Sequence, residues 1–142
     1  MIELRVDRVG VDPENGLAVV MLKDLEGKRI LPIWIGALEA SSIALAIEGV
    51  SPPRPMTHDL VKNLLEQFKA RVAHVLINDL KDDTFFAQIC LDVNNQTIEL
   101  DARPSDGIAL ALRFLAPIFV SSKVMEAASI SSSEDPTPPT VH

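Results

Sequence analysis

The chain predicts an α+β fold, a mixed and mostly antiparallel sheet with helices packed on it, and three observations carry that expectation. Short apolar runs of strand character are separated by tight turn signals, three longer stretches are patterned as helices, and the connections between strands are too short for parallel crossovers. An internal echo adds detail. Ser42-Ile43-Ala44-Leu45-Ala46-Ile47 matches Gly107-Ile108-Ala109-Leu110-Ala111-Leu112 at an offset of 65 positions, each copy preceded by a hairpin pattern. This points to duplication of a strand-turn-strand-helix unit, although two aliphatic helices can also share such a string by chance.

Taken in order, residues 2–11 alternate Ile2, Leu4 and Val6 with Glu3, Arg5 and Asp7, the period of a half-buried strand. Asp12-Pro13-Glu14-Asn15-Gly16 turns the chain, and Leu17 to Leu22 forms a second apolar run. Glu26-Gly27-Lys28 is a hairpin signal before the returning strand Arg29 to Ile35. Ala37 to Glu48 lacks breakers and is closed by Gly49, so it reads as a helix. It is apolar nearly all round, which predicts burial, part of it against a second subunit. After the proline-rich connection 50–55, a helix from Thr57 to about Ala70 carries Leu60, Val61, Leu64, Leu65 and Phe68 on one face, with Thr57 as its N-cap. Strands follow at 71–78, 84–93 and 96–101, with turns at Lys81-Asp82-Asp83 and Asn94-Asn95. The helix Pro104 to Leu115, a short strand at 117–120 and one or two helical turns at 121–128 complete a single domain over 1–128. The Ser, Thr and Pro content from Ser129 onward predicts a disordered tail over 129–142.

Composition narrows the function. The chain of 142 residues is 47% hydrophobic, yet no apolar run approaches the roughly 18 residues that span a bilayer. Its start enters a strand pattern without the profile of a signal peptide, so no membrane association and a cytoplasmic location are expected. The formal charge of −7 argues against a general nucleic-acid-binding surface, so any such contact must be local. Trp34 is the sole tryptophan and tyrosine is absent, which disfavours a base-stacking platform. Cys90, the single cysteine, sits in an apolar strand pattern as a small core residue.

Two turns hold most of the polar chemistry: Arg54-Pro55-Met56-Thr57-His58-Asp59 and Arg103-Pro104-Ser105-Asp106. Proline keeps the preceding residue extended, which aims each arginine as a helix begins. Helix N–H groups beside a guanidinium suit a phosphate or carboxylate. The same residues also read as two well-capped helices with local ion pairs.

Leu31-Pro32-Ile33-Trp34-Ile35-Gly36, Glu39-Ala40, the segment Pro53 to Asp59 and the segment Asp101 to Ala111 together resemble, in this order, the bifunctional nuclease domain family. The resemblance covers residues 1 to about 126. It implies hydrolysis of phosphodiester bonds in DNA and RNA with little sequence specificity, and a homodimer with a groove holding the active site. Gly107 stands where the family more often has alanine, and no UVR-type segment follows the domain.

Such a reaction needs an activated nucleophile, a clamp for charge on phosphorus and a proton for the leaving oxygen. His58, Asp59, Glu39, Asp101 and Asp106 are the candidate catalytic residues, with His58 as general acid or base. Arg54, Arg103, Thr57 and Ser105 are the candidate substrate contacts, the arginines as phosphate clamps. Clustered carboxylates holding Mg²⁺ or Mn²⁺ would serve the same ends, although no metal-ligand spacing is recognisable and no Cys/His set for zinc exists. Each residue also has a structural reading: Asp59 and Asp106 complement helix dipoles, Asp101 pairs with Arg103, and Glu39 pairs with either arginine. The rival function is a noncatalytic oligomeric module that binds a small anionic ligand or a protein partner through these turns.

Overall fold

The computed structural model describes residues 1–134 and the backbone of Thr140–Val141. Nine strands and four helices run in the order β1 (Ile2–Asp12), β2 (Leu17–Asp24), β3 (Arg29–Gly36), α1 (Ala37–Glu48), α2 (Thr57–Gln67), β4 (Ala70–Lys81), β5 (Thr84–Val93), β6 (Gln96–Ala102), α3 (Pro104–Phe114), β7 (Ile118–Val120), α4 (Ser122–Ala128), β8 (Ile130–Ser131) and β9 (Thr140–Val141) among the described residues. They form one sheet in the spatial order β6-β5-β4-β7-β1-β2-β3-β8, with β9 also paired to β1. Every pairing is antiparallel except β4 with β7, so the α+β expectation holds. β1-β2-β3-α1 and β4-β5-β6-α3 repeat one element order, an architectural likeness and not a demonstrated duplication.

The turns obey local chemistry. Asp82 and Asp83 at φ 50° and 62°, and Asn94 and Asn95 at 50° and 64°, give the two hairpins of the second half their tight two-residue loops. Between β2 and β3 the Asp24 carboxylate accepts the Lys28 and Arg29 N–H groups at 2.8 and 3.2 Å. Gly49 at φ 67° ends α1, with the Val50 N–H donating to Leu45 O at 3.1 Å.

α1 packs over β1, β2 and β3, α3 packs over β4 and β5, the two helices touch, and α2 lies against α3 and β4. Val20, Leu22 and Leu31 from the strands meet Ile43 of α1 and Ile108 of α3 in a fully buried core. Gly107 lets α3 lie close on the sheet: a Cβ there would stand 2.8 Å from Val75 Cγ1 on β4. Cys90 is buried, and burial pushes its thiol upward in pKa, as a packing residue requires.

Four expectations are corrected. α1 is not buried all round, because only its Ala40, Ile43 and Ala44 side lies on the sheet and Leu38 is 86% exposed. On α2 the apolar face divides: Val61 and Leu65 reach the core, whereas Leu60, Leu64 and Phe68 face outward because no layer covers them. Thr57 does not cap α2. Met56 is the extended N-cap residue, Thr57 is already helical, and the Asp59 carboxylate takes the Met56 N–H at 3.0 Å. Within the expected tail, Ile130–Ser131 pairs with β3 and Ile130 packs against Val19, Met21 and Ile30, while Ser132–Glu134 form a 3₁₀ turn. The tail residues 135–139 and 142 lie outside the described residues.

Candidate functional site

The starts of α1, α2 and α3 converge, and each contributes polar residues to one connected set. Arg103 is the extended N-cap residue of α3, with Pro104 at the first helical position, so its side chain leaves the backbone in a fixed direction. Its Nε and Nη2 donate to Asp106 Oδ2 and Oδ1 at 2.8 and 3.3 Å, and its Nη1 donates to Glu39 Oε1 at 3.1 Å. Asp106 Oδ1 also lies 2.8 Å from His58 Nε2. The other ring nitrogen, Nδ1, is 2.6 Å from Ser42 Oγ on α1. Glu39, Arg103, Asp106, His58 and Ser42 thus form one continuous hydrogen-bonded chain across three helices.

Electrostatics orders the protons in that chain. Burial works to raise the Asp106 carboxyl, but hydrogen bonds from Arg103 and His58, and the charges of both, hold it below the ordinary carboxylate value. Arg103 is correspondingly held above the usual guanidinium range by Asp106 first and Glu39 second. An ionised Asp106 only accepts hydrogen bonds, which selects the tautomer with the ring proton on Nε2. The lone pair on Nδ1 then faces Ser42, whose hydroxyl donates to it.

Behind this chain stands a residue outside the two Arg-Pro turns. The Arg113 side chain, 9% exposed, donates from Nε to Asp59 Oδ1 at 2.8 Å, from Nη1 to Ala109 O at 3.0 Å and from Nη2 to Ser42 O at 3.1 Å. One guanidinium therefore fastens α1, α2 and α3 together directly behind Ser42. The Arg113 hydrogen bond and the Met56 N–H hold the Asp59 carboxyl below its ordinary value.

A cleft of about 370 Å³ opens on the set and is lined by Ser42, Thr57, His58, Arg103 and Asp106 together with Leu38. A second cleft of about 480 Å³ shares Glu39 and Arg103 and adds Trp34 and the buried Ser105. A larger depression, about 950 Å³, lies among Glu66, Lys69, Arg71 and Asp92. Size alone would favour it, but it lacks a linked carboxylate, imidazole and hydroxyl, so the chemistry favours the smaller cleft.

Of the candidates read from sequence, Glu39, His58, Arg103 and Asp106 come together, and Thr57 stands at the rim. Asp59 faces Arg113 instead. The side chains of Arg54 and Asp101 are exposed and make no hydrogen bond or ion pair with another described residue, Asp101 lying on β6 opposite Gln88. Ser42 and Arg113 were not among the candidates. The sequence signal for Ser42 was a hydroxyl in an otherwise aliphatic helix, and for Arg113 a single cation closing one. Among the described residues no three His, Cys, Asp or Glu side chains are grouped as a metal set. The two nearest carboxylates, Glu39 and Asp106, are both spanned by Arg103, whose charge stands where Mg²⁺ or Mn²⁺ would need to bind, so these donors do not fit that ion as arranged. No helix among the described residues is long and apolar enough to cross a membrane.

The chain is similar to known proteins over most of its length. An uncharacterized protein of Mycobacterium tuberculosis is 42% identical over 128 residues, 90% of this chain and 76% of that protein. Bifunctional nuclease 1 of Oryza sativa subsp. japonica is 28% identical over 110 residues, covering 75% of this chain and 33% of its own length. Bifunctional nuclease 1 of Arabidopsis thaliana is 28% identical over 125 residues, 80% of this chain and 38% of its own. The chain therefore spans little more than a third of these plant proteins. The Bifunctional nuclease domain matches residues 20–133, a stretch that holds every member of the hydrogen-bonded set, and the chain belongs to that family.

Proposed function

We propose that the protein hydrolyses phosphodiester bonds in DNA and RNA, with little sequence specificity, at the cleft between α1, α2 and α3. The observation that carries this reading is the unbroken hydrogen-bonded chain from Glu39 through Arg103 and Asp106 to His58 on the wall of one cleft, in a chain of a nuclease family. Arg103, 65% exposed, offers its guanidinium to a phosphate while Glu39 and Asp106 fix its direction. His58 carries a proton between the attacking and leaving oxygens, and Asp106 holds its ring and stabilises the imidazolium. Nucleic acid binds locally, in keeping with the acidic charge of the chain.

The protein works as a homodimer in the cytoplasm. Trp34 and Leu38, 61% and 86% exposed beside the clefts, support the dimer, since large apolar side chains grouped at a site ask for a cover.

The test is hydrolysis of plasmid DNA and of RNA by highly purified protein, with and without EDTA, beside variants purified identically. Arg103→Ala is expected to lower activity by roughly tenfold or more, since a transition-state clamp is worth about 10² in rate. Its melting curve should stay in place, because exposed ion pairs contribute little stability. Arg103→Lys keeps the charge but loses the planar fork and should suffer nearly as much. Activity that persists unchanged in Arg103→Ala would point to a contaminant. In that event the acidic charge favours the second reading, a noncatalytic module binding a small anion or a protein partner.

A further inference from the structure

We propose that Ser42 is a covalent nucleophile, its hydroxyl attacking phosphorus with His58 as base and Asp106 as the group that orients the base. The inference rests on the phosphodiester reading above and extends it to a two-step reaction through an intermediate in which phosphorus is esterified to both Ser42 Oγ and the retained strand.

The geometry asks for an explanation of this kind. A serine inside a helix ordinarily bonds back to a carbonyl of the preceding turn or faces water. Ser42 instead reaches across to another helix: its Oγ lies 2.6 Å from His58 Nδ1, sixteen residues away on α2. The opposite ring nitrogen is 2.8 Å from an Asp106 carboxylate that is itself clamped by Arg103. Hydroxyl, imidazole and carboxylate in this relation are the arrangement that activates a serine, here with Nδ1 toward the hydroxyl. The base is shielded, with the His58 side chain 12% exposed, while Ser42 remains on the wall of the 370 Å³ cleft together with the Arg103 cation. The nucleophile is also held from behind, since Arg113 binds the Ser42 carbonyl.

In the first step the Ser42 Oγ–P bond forms and the P–O bond to the leaving nucleoside breaks. The serine proton moves to His58 Nδ1 and from there to the leaving oxygen. In the second, water gives a proton to His58 Nδ1 and attacks phosphorus, the Oγ–P bond breaks, and Oγ recovers the proton. One water is consumed and the protein is regenerated, with no other reactant required.

The experiment is labelling of the intact protein with diisopropyl fluorophosphate, read by mass spectrometry of the whole chain and of its peptides. A single phosphoryl adduct on Ser42 is expected, lost in Ser42→Ala and reduced at least about a hundredfold in His58→Ala, with melting curves recorded for each. The absence of an adduct on Ser42 in the folded wild-type protein overturns the proposal, as does nucleic-acid hydrolysis at the wild-type rate in Ser42→Ala. An adduct on Ser42 without any hydrolysis of DNA or RNA would uphold the nucleophile and defeat the nuclease reading. Hydrolysis without an adduct would do the reverse.

Discussion

Arg113 shows how one buried cation sets the positions of groups it does not itself activate. Three of its nitrogens reach Asp59, Ala109 and Ser42 on three different helices. Replacing it with methionine would keep the volume but leave the Asp59 carboxylate without its cation. A loss of about 2 to 3 kcal/mol is expected, below the range for fully buried pairs because Asp59 keeps 27% of its side-chain surface exposed. Urea denaturation of Arg113→Met measures it. The same pair gives a pH dependence with a definite sign. The folded-state pKa of Asp59 is depressed below its ordinary 3.8, first by the Arg113 hydrogen bond. Its stabilising contribution is therefore complete above about pH 4 and is lost as pH falls through the folded value. Urea midpoints of the wild type should fall more steeply below pH 4 than those of Asp59→Asn, and equal slopes would show that Asp59 does not carry the effect.

At the level of elements, the contact of α3 with β4 depends on Gly107. Alanine would favour the helix by about 1 kcal/mol in propensity. Against this, its Cβ would meet Val75 Cγ1 at 2.8 Å, and Val75 is fully buried with little room to yield. Overpacking of this kind costs about 1 to 3 kcal/mol, so a net loss is expected for Gly107→Ala. Thermal melting of Gly107→Ala beside Gly107→Ala/Val75→Ala tests the cause: the second change should cost much less in the Gly107→Ala background than alone. Since α3 carries both Arg103 and Asp106, a displaced helix would also lengthen the His58–Asp106 contact, linking packing to the chemistry of the cleft.

For the molecule as a whole, the open question is what meets its apolar exterior. Leu60 and Leu64 of α2 and Phe68 at its C-terminal end face outward, and Trp34 and Leu38 stand uncovered near the clefts. Light scattering at micromolar concentration is expected to give the mass of a dimer, and Leu38→Glu to shift it toward that of a monomer. A monomeric wild-type protein would remove the dimer from the proposed function. The net charge of −7 adds a restraint at this scale: binding of nucleic acid should not resemble the steep salt dependence of a protein with an extended basic face.

Much of the architecture was determined by local physical chemistry that a sequence displays. Period-two alternation marked β1, paired Asp and Asn residues at positive φ marked the tight hairpins, and Gly49 and the Arg103-Pro104 junction marked helix ends. The resemblance of ordered motifs marked the family. What the tertiary structure alone decided is which polar groups meet. Ser42 and His58 are separated by 16 residues, His58 and Asp106 by 48, and Glu39 and Arg103 by 64, and no spacing rule connects positions on different helices. Their meeting depends on α1 and α3 touching over the sheet and α2 leaning on α3, a product of core packing. The same packing turned Asp59 toward Arg113 and left Arg54 and Asp101 apart from the cleft set, although all three carry residue types suited to the chemistry. It also drew Ile130 onto Val19, Met21 and Ile30, because an apolar patch on the outer side of β2 and β3 gave one isoleucine in a polar segment somewhere to bury.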